Sequence, residues 1–74
     1  MKWYTIAKTS SSLFTEDTLV QGKNSKQALE TLIGKKVIRV NDYYSPFDYT
    51  VRLSDERGYH YRDRRKTVYY NVIK

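Results

Sequence analysis

The chain has 74 residues, no cysteine and a formal net charge of +6, with a pI near 9.7. A chain of this length forms one small domain, residues 1–74, which buries only about 60% of its unfolded surface. The composition excludes disulfides and thiolate metal sites, and the single histidine, His60, excludes the usual zinc ligand sets. We therefore expect no metal and no other cofactor.

The first residues, MKWYTIAKTSSSLF, contain only a brief apolar run. This run is too short for the core of a signal peptide or for a membrane span. The absence of cysteine suits a reducing compartment. We expect a soluble cytoplasmic protein that does not attach to a membrane.

The first part of the chain predicts two strands. Lys2–Lys8 is rich in aromatic and β-branched residues, which favour a strand. The serines of residues 9–13 indicate a turn or loop, because their hydroxyls bond readily to nearby backbone. Residues 14–21 then predict a weaker second strand that returns antiparallel to the first, and Gly22 and Lys23 interrupt the pattern.

Residues 24–34 are the one segment that predicts a helix. Asn24 or Ser25 can cap its first turn, and Gln27 stands where a capping-box partner belongs. Gly34 can adopt the left-handed conformation that ends a helix. A stripe of apolar residues recurs at helical spacing, and it must pack on a sheet because no second helix is predicted: Ala28, Leu29, Leu32 and Ile33.

The second half of the chain predicts strands and turns. Residues 35–40 favour a strand, and residues 41–48, with the only proline, favour a loop. Tyr49–Ser54 alternates apolar and polar residues, and residues 55–58 resemble a hairpin turn in which Gly58 supplies a positive φ.

Residues 59–62 and 67–73 complete the predicted sheet, either as one long bent strand or as two strands. The predicted fold is therefore α+β, with one short helix packed on a mostly antiparallel sheet in the order ββαβββ. One short helix covers only part of one sheet face. We expect the other face to be open, as a candidate working surface, unless the sheet curls into a partial barrel or pairs with a second molecule.

The strongest candidate for a binding site is residues 57–66, RGYHYRDRRK, which carry five cations and one acid. Guanidinium groups can neutralise phosphates, and aromatic rings can stack on unpaired bases. The alternative is a solvated hairpin whose arginines face water and whose tyrosines form cross-strand pairs. The candidate nucleic-acid-binding residues are Arg57, Tyr59, His60, Tyr61, Arg62, Arg64, Arg65 and Lys66.

Two other groups have a structural and a functional interpretation. Lys35, Lys36 and Arg39 follow the predicted helix, where cations complement the negative end of the helix dipole, and this interpretation is sufficient. The aromatic residues of the proline-containing loop form either a protein-binding hot spot or a cover over a thin core: Tyr43, Tyr44 and Phe47.

Catalysis has little support in the sequence. His60 has no cysteine or second histidine as a partner, and the acids are scattered without metal-ligand spacing. One enzymatic route survives, a metal-free ribonuclease in which cations hold the scissile phosphate and a proton donor serves the leaving oxygen. Its residues would be His60, Tyr61, Arg62 and Arg64.

The sequence thus predicts a non-enzymatic protein that binds DNA or RNA through a basic, tyrosine-rich C-terminal hairpin. The first alternative is a small protein-interaction module, an inhibitor or adaptor, that docks an acidic protein partner or forms a homodimer through its sheet. The second alternative is the metal-free ribonuclease.

Overall fold

A computed structural model of the chain describes residues 1–8, 18–41, 46–59 and 67–74. Its strands form one five-stranded sheet in the order β2-β1-β4-β5-β3, in which every pair of neighbours is antiparallel. One helix packs on this sheet, which confirms the predicted α+β fold and the order ββαβββ. The elements are β1 (Lys2–Lys8), β2 (Thr18–Gly22), α1 (Ser25–Ile33), β3 (Val37–Arg39), β4 (Tyr49–Ser54) and β5 (Thr67–Val72).

Several predicted boundaries differ from the structure: β2 includes Gly22, which was predicted to interrupt the strand, and β5 ends at Val72 instead of at residue 73. The described part of the second strand begins at Thr18, and the predicted residues 14–17 lie outside the described residues. The third strand, Val37–Arg39, is shorter than the predicted 35–40. Tyr59 does not belong to a strand, and the rest of the strand predicted over 59–62 lies outside the described residues.

Both ends of α1 form as the sequence predicts. The Asn24 side chain accepts a hydrogen bond from the Gln27 N–H at 2.8 Å. Gln27 Oε1 accepts from the Lys23 N–H at 2.6 Å, one residue earlier than in the predicted capping box. Gly34 has a φ of 69° and donates its N–H to the Glu30 carbonyl, which ends the helix.

The core lies between α1 and one face of the sheet. Ala28 and Leu29 of the helix are fully buried, and Ile33 packs against the same cluster. Leu32 belongs to the same predicted stripe but is 43% exposed, so the sheet covers the first turn of the stripe more completely than the last. The sheet contributes five buried apolar residues to this core: Tyr4, Ile6, Val37, Val51 and Tyr70.

The helix approaches β2 closely at Gly22. A Cβ atom at position 22 would lie 2.9 Å from the Ala28 Cβ and 3.0 Å from the Ala28 backbone nitrogen. The missing side chain of Gly22 therefore allows the helix to lie against this strand.

We predict that Gly22→Ala lowers the free energy of unfolding by about 1–3 kcal/mol, because the added methyl group must displace helix backbone. Denaturant unfolding followed by circular dichroism measures this change. Thr31→Ala, at an exposed helical position, is the control and should stay within about 0.5 kcal/mol of the wild type. Equal stability of Gly22→Ala and the wild type would contradict the close approach.

The face of the sheet opposite the helix is not open throughout, which corrects the expectation from the sequence. Thr5 and Ser54 are only 4% exposed on this face, and Thr50 is buried as well. The hydroxyl groups of Thr5 and Ser54 hydrogen-bond each other, so the two buried side chains satisfy one another. Arg52, between Thr50 and Ser54 on the same face, is exposed.

Residues 46–48 occupy another part of this second face. β3 and β4 lie on opposite sides of β5, and residues 46–48 contact β5 where the chain enters β4. Phe47 packs edge-on against Tyr69, with ring centroids 4.6 Å apart. Asn71 Oδ1 accepts from the Asp48 N–H at 2.8 Å, and Asp48 Oδ2 accepts from the Val72 N–H at 2.9 Å. These bonds fix the segment to β5.

The buried tyrosines connect the sheet to the start of the helix. The Tyr70 hydroxyl and the Ser25 hydroxyl hydrogen-bond at 2.6 Å.

Burial, reinforced by the neighbouring Tyr70, raises the pKa of Tyr4 above its ordinary value. The Tyr4 hydroxyl therefore keeps its proton to a higher pH in the folded state than in the unfolded chain. The stability that this difference provides is fully present below the unfolded pKa, about 10, and is lost as the pH rises through the folded pKa.

We predict that the wild type loses stability at alkaline pH more steeply than Tyr4→Phe, which has no hydroxyl to ionise. Urea unfolding of both proteins between about pH 8 and pH 11 measures the difference. The two curves should run parallel below about pH 9 and diverge above it. Curves that stay parallel over the whole range would show that ionisation of the Tyr4 hydroxyl does not affect the pH dependence of stability.

No helix in the four described segments is both long enough and apolar enough to span a membrane.

Candidate nucleic-acid interface

One end of the sheet gathers several polar segments, and we call it the hairpin end. It is defined by Lys2, Gly22, Ser54 and Thr67. The register pairs Lys2 with Gly22 in β2, and it places Ser54 opposite Trp3 and Thr67 opposite Arg52. The chain leaves the described residues after Tyr59 and returns at Thr67, so both flanks of the predicted basic stretch lie at this end.

A hydrogen-bonded turn follows Ser54 at the hairpin end. The Gly58 N–H donates to the Asp55 carbonyl at 3.0 Å, and the Asp55 N–H donates to the Tyr59 carbonyl at 3.1 Å. The Asp55 side chain accepts two more bonds, from the N–H groups of Arg57 and Tyr59 at 2.8 and 3.1 Å. Gly58 has a φ of 88°, a conformation that side chains disfavour. The predicted turn and the role of Gly58 are thus confirmed.

The carboxylate of Asp55 is stabilised in its charged form. Partial burial would by itself raise the pKa of Asp55. The N–H groups of Arg57 and Tyr59 and the Arg57 guanidinium outweigh this effect, so the pKa lies below its ordinary value. The turn is therefore held by a charged acceptor at neutral pH.

Arg57 and Tyr59 form the described part of the predicted binding stretch. The Arg57 guanidinium lies 5.3 Å from the centre of the Tyr59 ring and 3.5 Å from an Asp55 oxygen. The Arg57 side chain is 73% exposed, and Tyr59 is 69% exposed. An exposed ion pair of this kind is worth little, so the guanidinium can exchange Asp55 for another anion. Tyr59 is not buried in a cross-strand pair.

The other predicted residues of this stretch lie outside the described residues: His60, Tyr61, Arg62, Arg64, Arg65 and Lys66. Tyr43 and Tyr44 of the proline-containing loop lie outside them too. Phe47 of that loop is described and packs on Tyr69, so its ring covers the sheet instead of standing free.

The charged residues of the described segments separate into two environments. All ten lysines and arginines of these segments are exposed. Three of the four acids are partly buried, and each accepts a hydrogen bond from a backbone N–H: Glu30 from Val37, Asp48 from Val72 and Asp55 from Arg57. Among the described residues, most acids thus face backbone donors, and the cations are exposed.

Sequence reasoning missed two contributions to the hairpin end. The register brings Lys2 next to Gly22, which Lys23 follows directly, although the two lysines are far apart in sequence. Only the strand pairing reveals this neighbourhood. Asp55 was predicted merely as part of a turn, yet its side chain bonds the turn together, and the Asp-x-Arg-Gly pattern carries that signal.

In the described segments, no three histidine, cysteine or acidic side chains lie close enough to hold a metal ion. No protein-family model, curated protein or solved structure matches the chain.

We predict that Asp55→Ala accelerates hydrogen exchange at the Arg57 and Tyr59 amides, because both lose their acceptor. Amide exchange measured by NMR at neutral pH tests this, with the exposed neighbour Glu56→Ala as the control. Because folding lowers the pKa of Asp55, the stabilisation that its carboxylate provides is present above the pKa of the unfolded chain, about 3.9. This stabilisation is lost as the pH falls through the pKa of the folded state. Equal exchange in both variants would contradict the role of Asp55.

Proposed function

We propose that the protein is a non-enzymatic, cytoplasmic nucleic-acid-binding protein whose interface lies at the hairpin end of the sheet. The observation that carries this proposal is the separation of charges in the described segments: ten exposed cations, against four acids of which three accept hydrogen bonds from backbone N–H groups. A surface with this surplus attracts a polyanion and releases the counterions that surround it.

The hairpin end supplies both kinds of contact that nucleic acids require. Lys2, Lys23 and Arg57 are exposed cations in segments that meet there. Tyr59 offers an exposed ring, on which the Arg57 guanidinium lies. Bases stack on such rings without regard to sequence. The basic residues that follow Tyr59 in the sequence would extend this interface: Arg62, Arg64, Arg65 and Lys66.

The same surplus of cations would suit an acidic protein partner, but the exposed tyrosine beside an arginine favours nucleic acid. The ribonuclease alternative gains no support from the described residues, since its four candidate residues lie outside them.

Fluorescence anisotropy with single-stranded DNA, duplex DNA and RNA, repeated over a range of salt concentrations, tests the proposal. The logarithm of the affinity should fall linearly with the logarithm of the salt concentration, with a slope of about −0.9 per phosphate contacted in duplex DNA and about −0.7 in single strands. Binding that is absent at low salt, or that does not depend on salt, would refute the proposal.

A matched pair of variants locates the interface. Replacing Arg62, Arg64 and Arg65 together by alanine should flatten the duplex slope by about 2–3 if each contacts a phosphate. The control replaces Lys35, Lys36 and Lys74, which are exposed at the opposite end of the sheet and carry the same total charge. The control should keep the slope close to that of the wild type. Equal losses in both variants would show that only net charge matters.

Tyr59 has its own test, which separates stacking from charge. Tyr59→Leu keeps the apolar bulk but removes the flat ring, so affinity for single strands should fall by about 1–3 kcal/mol while the salt slope stays unchanged. Tyr69→Leu is not a suitable control, because Tyr69 packs on Phe47. Leu32→Ala, at an exposed helical position, is suitable and should bind like the wild type.

A further inference from the structure

The two edges of the sheet differ in how well they are protected. β3 forms one edge and β2 forms the other. An unprotected edge strand presents free N–H and C=O groups to which another strand can bind, and proteins block such edges with charges, short strands or covering side chains.

The β3 edge is blocked. The Val40 N–H donates to the Tyr69 carbonyl, and the Ile73 N–H donates to the Lys36 carbonyl. Together with the register, these bonds show which residues of β3 direct their backbone groups towards β5. Because inward and outward groups alternate along a strand, Val37 and Arg39 direct their backbone groups outwards. The Glu30 carboxylate accepts a hydrogen bond from the Val37 N–H at 3.0 Å, and Arg39 is an exposed charged residue of this strand. β3 is also only three residues long.

Among residues 1–8, 18–41, 46–59 and 67–74, nothing gives the β2 edge any of these protections. Its sequence, TLVQG, contains no charged residue and no proline over five residues. The register of all five residues with β1 is regular, without a bulge. Alternate residues of β2 therefore direct free N–H and C=O groups away from β1. In the described segments, no side chain covers these groups as Glu30 covers Val37.

We propose that β2 is a dimerisation edge, at which a second copy of this chain adds its own β2 in the antiparallel direction. A two-fold axis between the two β2 strands would place Val20 opposite Val20 of the second copy. It would also place Leu19 opposite Gln21 of the second copy. Identical strands that pair in this way satisfy one another's free groups, because a two-fold contact is self-complementary. The two sheets would join into one ten-stranded sheet, with both helices on the same face.

The charges that flank β2 in the sequence favour this direction. An acid, Asp17, precedes Thr18, and a cation, Lys23, follows Gly22. Two copies of such a segment attract one another when they run antiparallel and repel one another when they run parallel. Because β2 itself carries no charge, it has no group that would select a charged peptide. A second copy of β2 is therefore the favoured partner. Because the ladder is short, we expect a weak dimer that depends on protein concentration.

Sedimentation velocity over a concentration series tests the proposal with two variants that each add one positive charge. Gln21→Lys places a lysine on the exposed edge, and Thr31→Lys places it on the exposed surface of the helix. We expect the wild type and Thr31→Lys to dimerise alike, and Gln21→Lys to raise the dissociation constant by about tenfold or more. A wild type that stays monomeric, or a Gln21→Lys variant that dimerises like Thr31→Lys, would overturn the proposal.

A second measurement holds even if Gln21→Lys alters folding. Hydrogen exchange of the wild-type protein, read residue by residue by NMR, should show that alternate amides of β2 become more protected as the protein concentration rises. Amides of β3 should not change, since the edge of β3 is blocked. Protection that does not depend on concentration in β2, or that rises equally in both edges, would overturn the proposal.

Discussion

The structure depends on the contact between one short helix and the sheet beneath it. A helix of nine residues is not stable alone, so it forms only because its apolar stripe is buried. Leu29 is fully buried, which contributes about 2 kcal/mol relative to exposure. Gly22 allows the helix to approach β2 to within a distance that no side chain would permit. The position of the helix in turn sets where Glu30 meets β3, and thus which edge of the sheet is blocked.

The small core also explains how the surface acquires its charge. In a small sheet, many backbone N–H groups lie at edges, turns and strand ends, where no neighbouring strand accepts a hydrogen bond from them. In the described segments, carboxylates accept hydrogen bonds from four of them: Val37, Val72, Arg57 and Tyr59. In the described segments, three of the four acids are thereby partly buried, and the ten lysines and arginines remain exposed. The positive surface of the described segments thus follows in part from how the backbone is satisfied, and it is the basis of our proposal that the partner is a polyanion.

Local patterns predicted much of the fold. The first strand, the caps of the helix and the alternation in Tyr49–Ser54 follow from short-range chemistry, and the structure confirms them. Sequence could not predict the strand order, because pairing depends on contacts between distant segments. The burial of Thr5 against Ser54, the proximity of Lys2 to Gly22 and the packing of Phe47 on Tyr69 all follow from that order. For the candidate site, Arg57 and Tyr59 were predicted from composition, whereas the bonds of Asp55 that shape their turn required the structure.

The most direct test of the central claim, that the hairpin end binds nucleic acid, is a map of amide chemical-shift changes as a short single-stranded RNA is added at low salt. Our account predicts changes that concentrate at Lys2, Lys23 and the turn from Asp55 to Tyr59 and that disappear as salt is added. Absence of changes, or changes confined to Lys35, Lys36 and Lys74 at the opposite end, would contradict it.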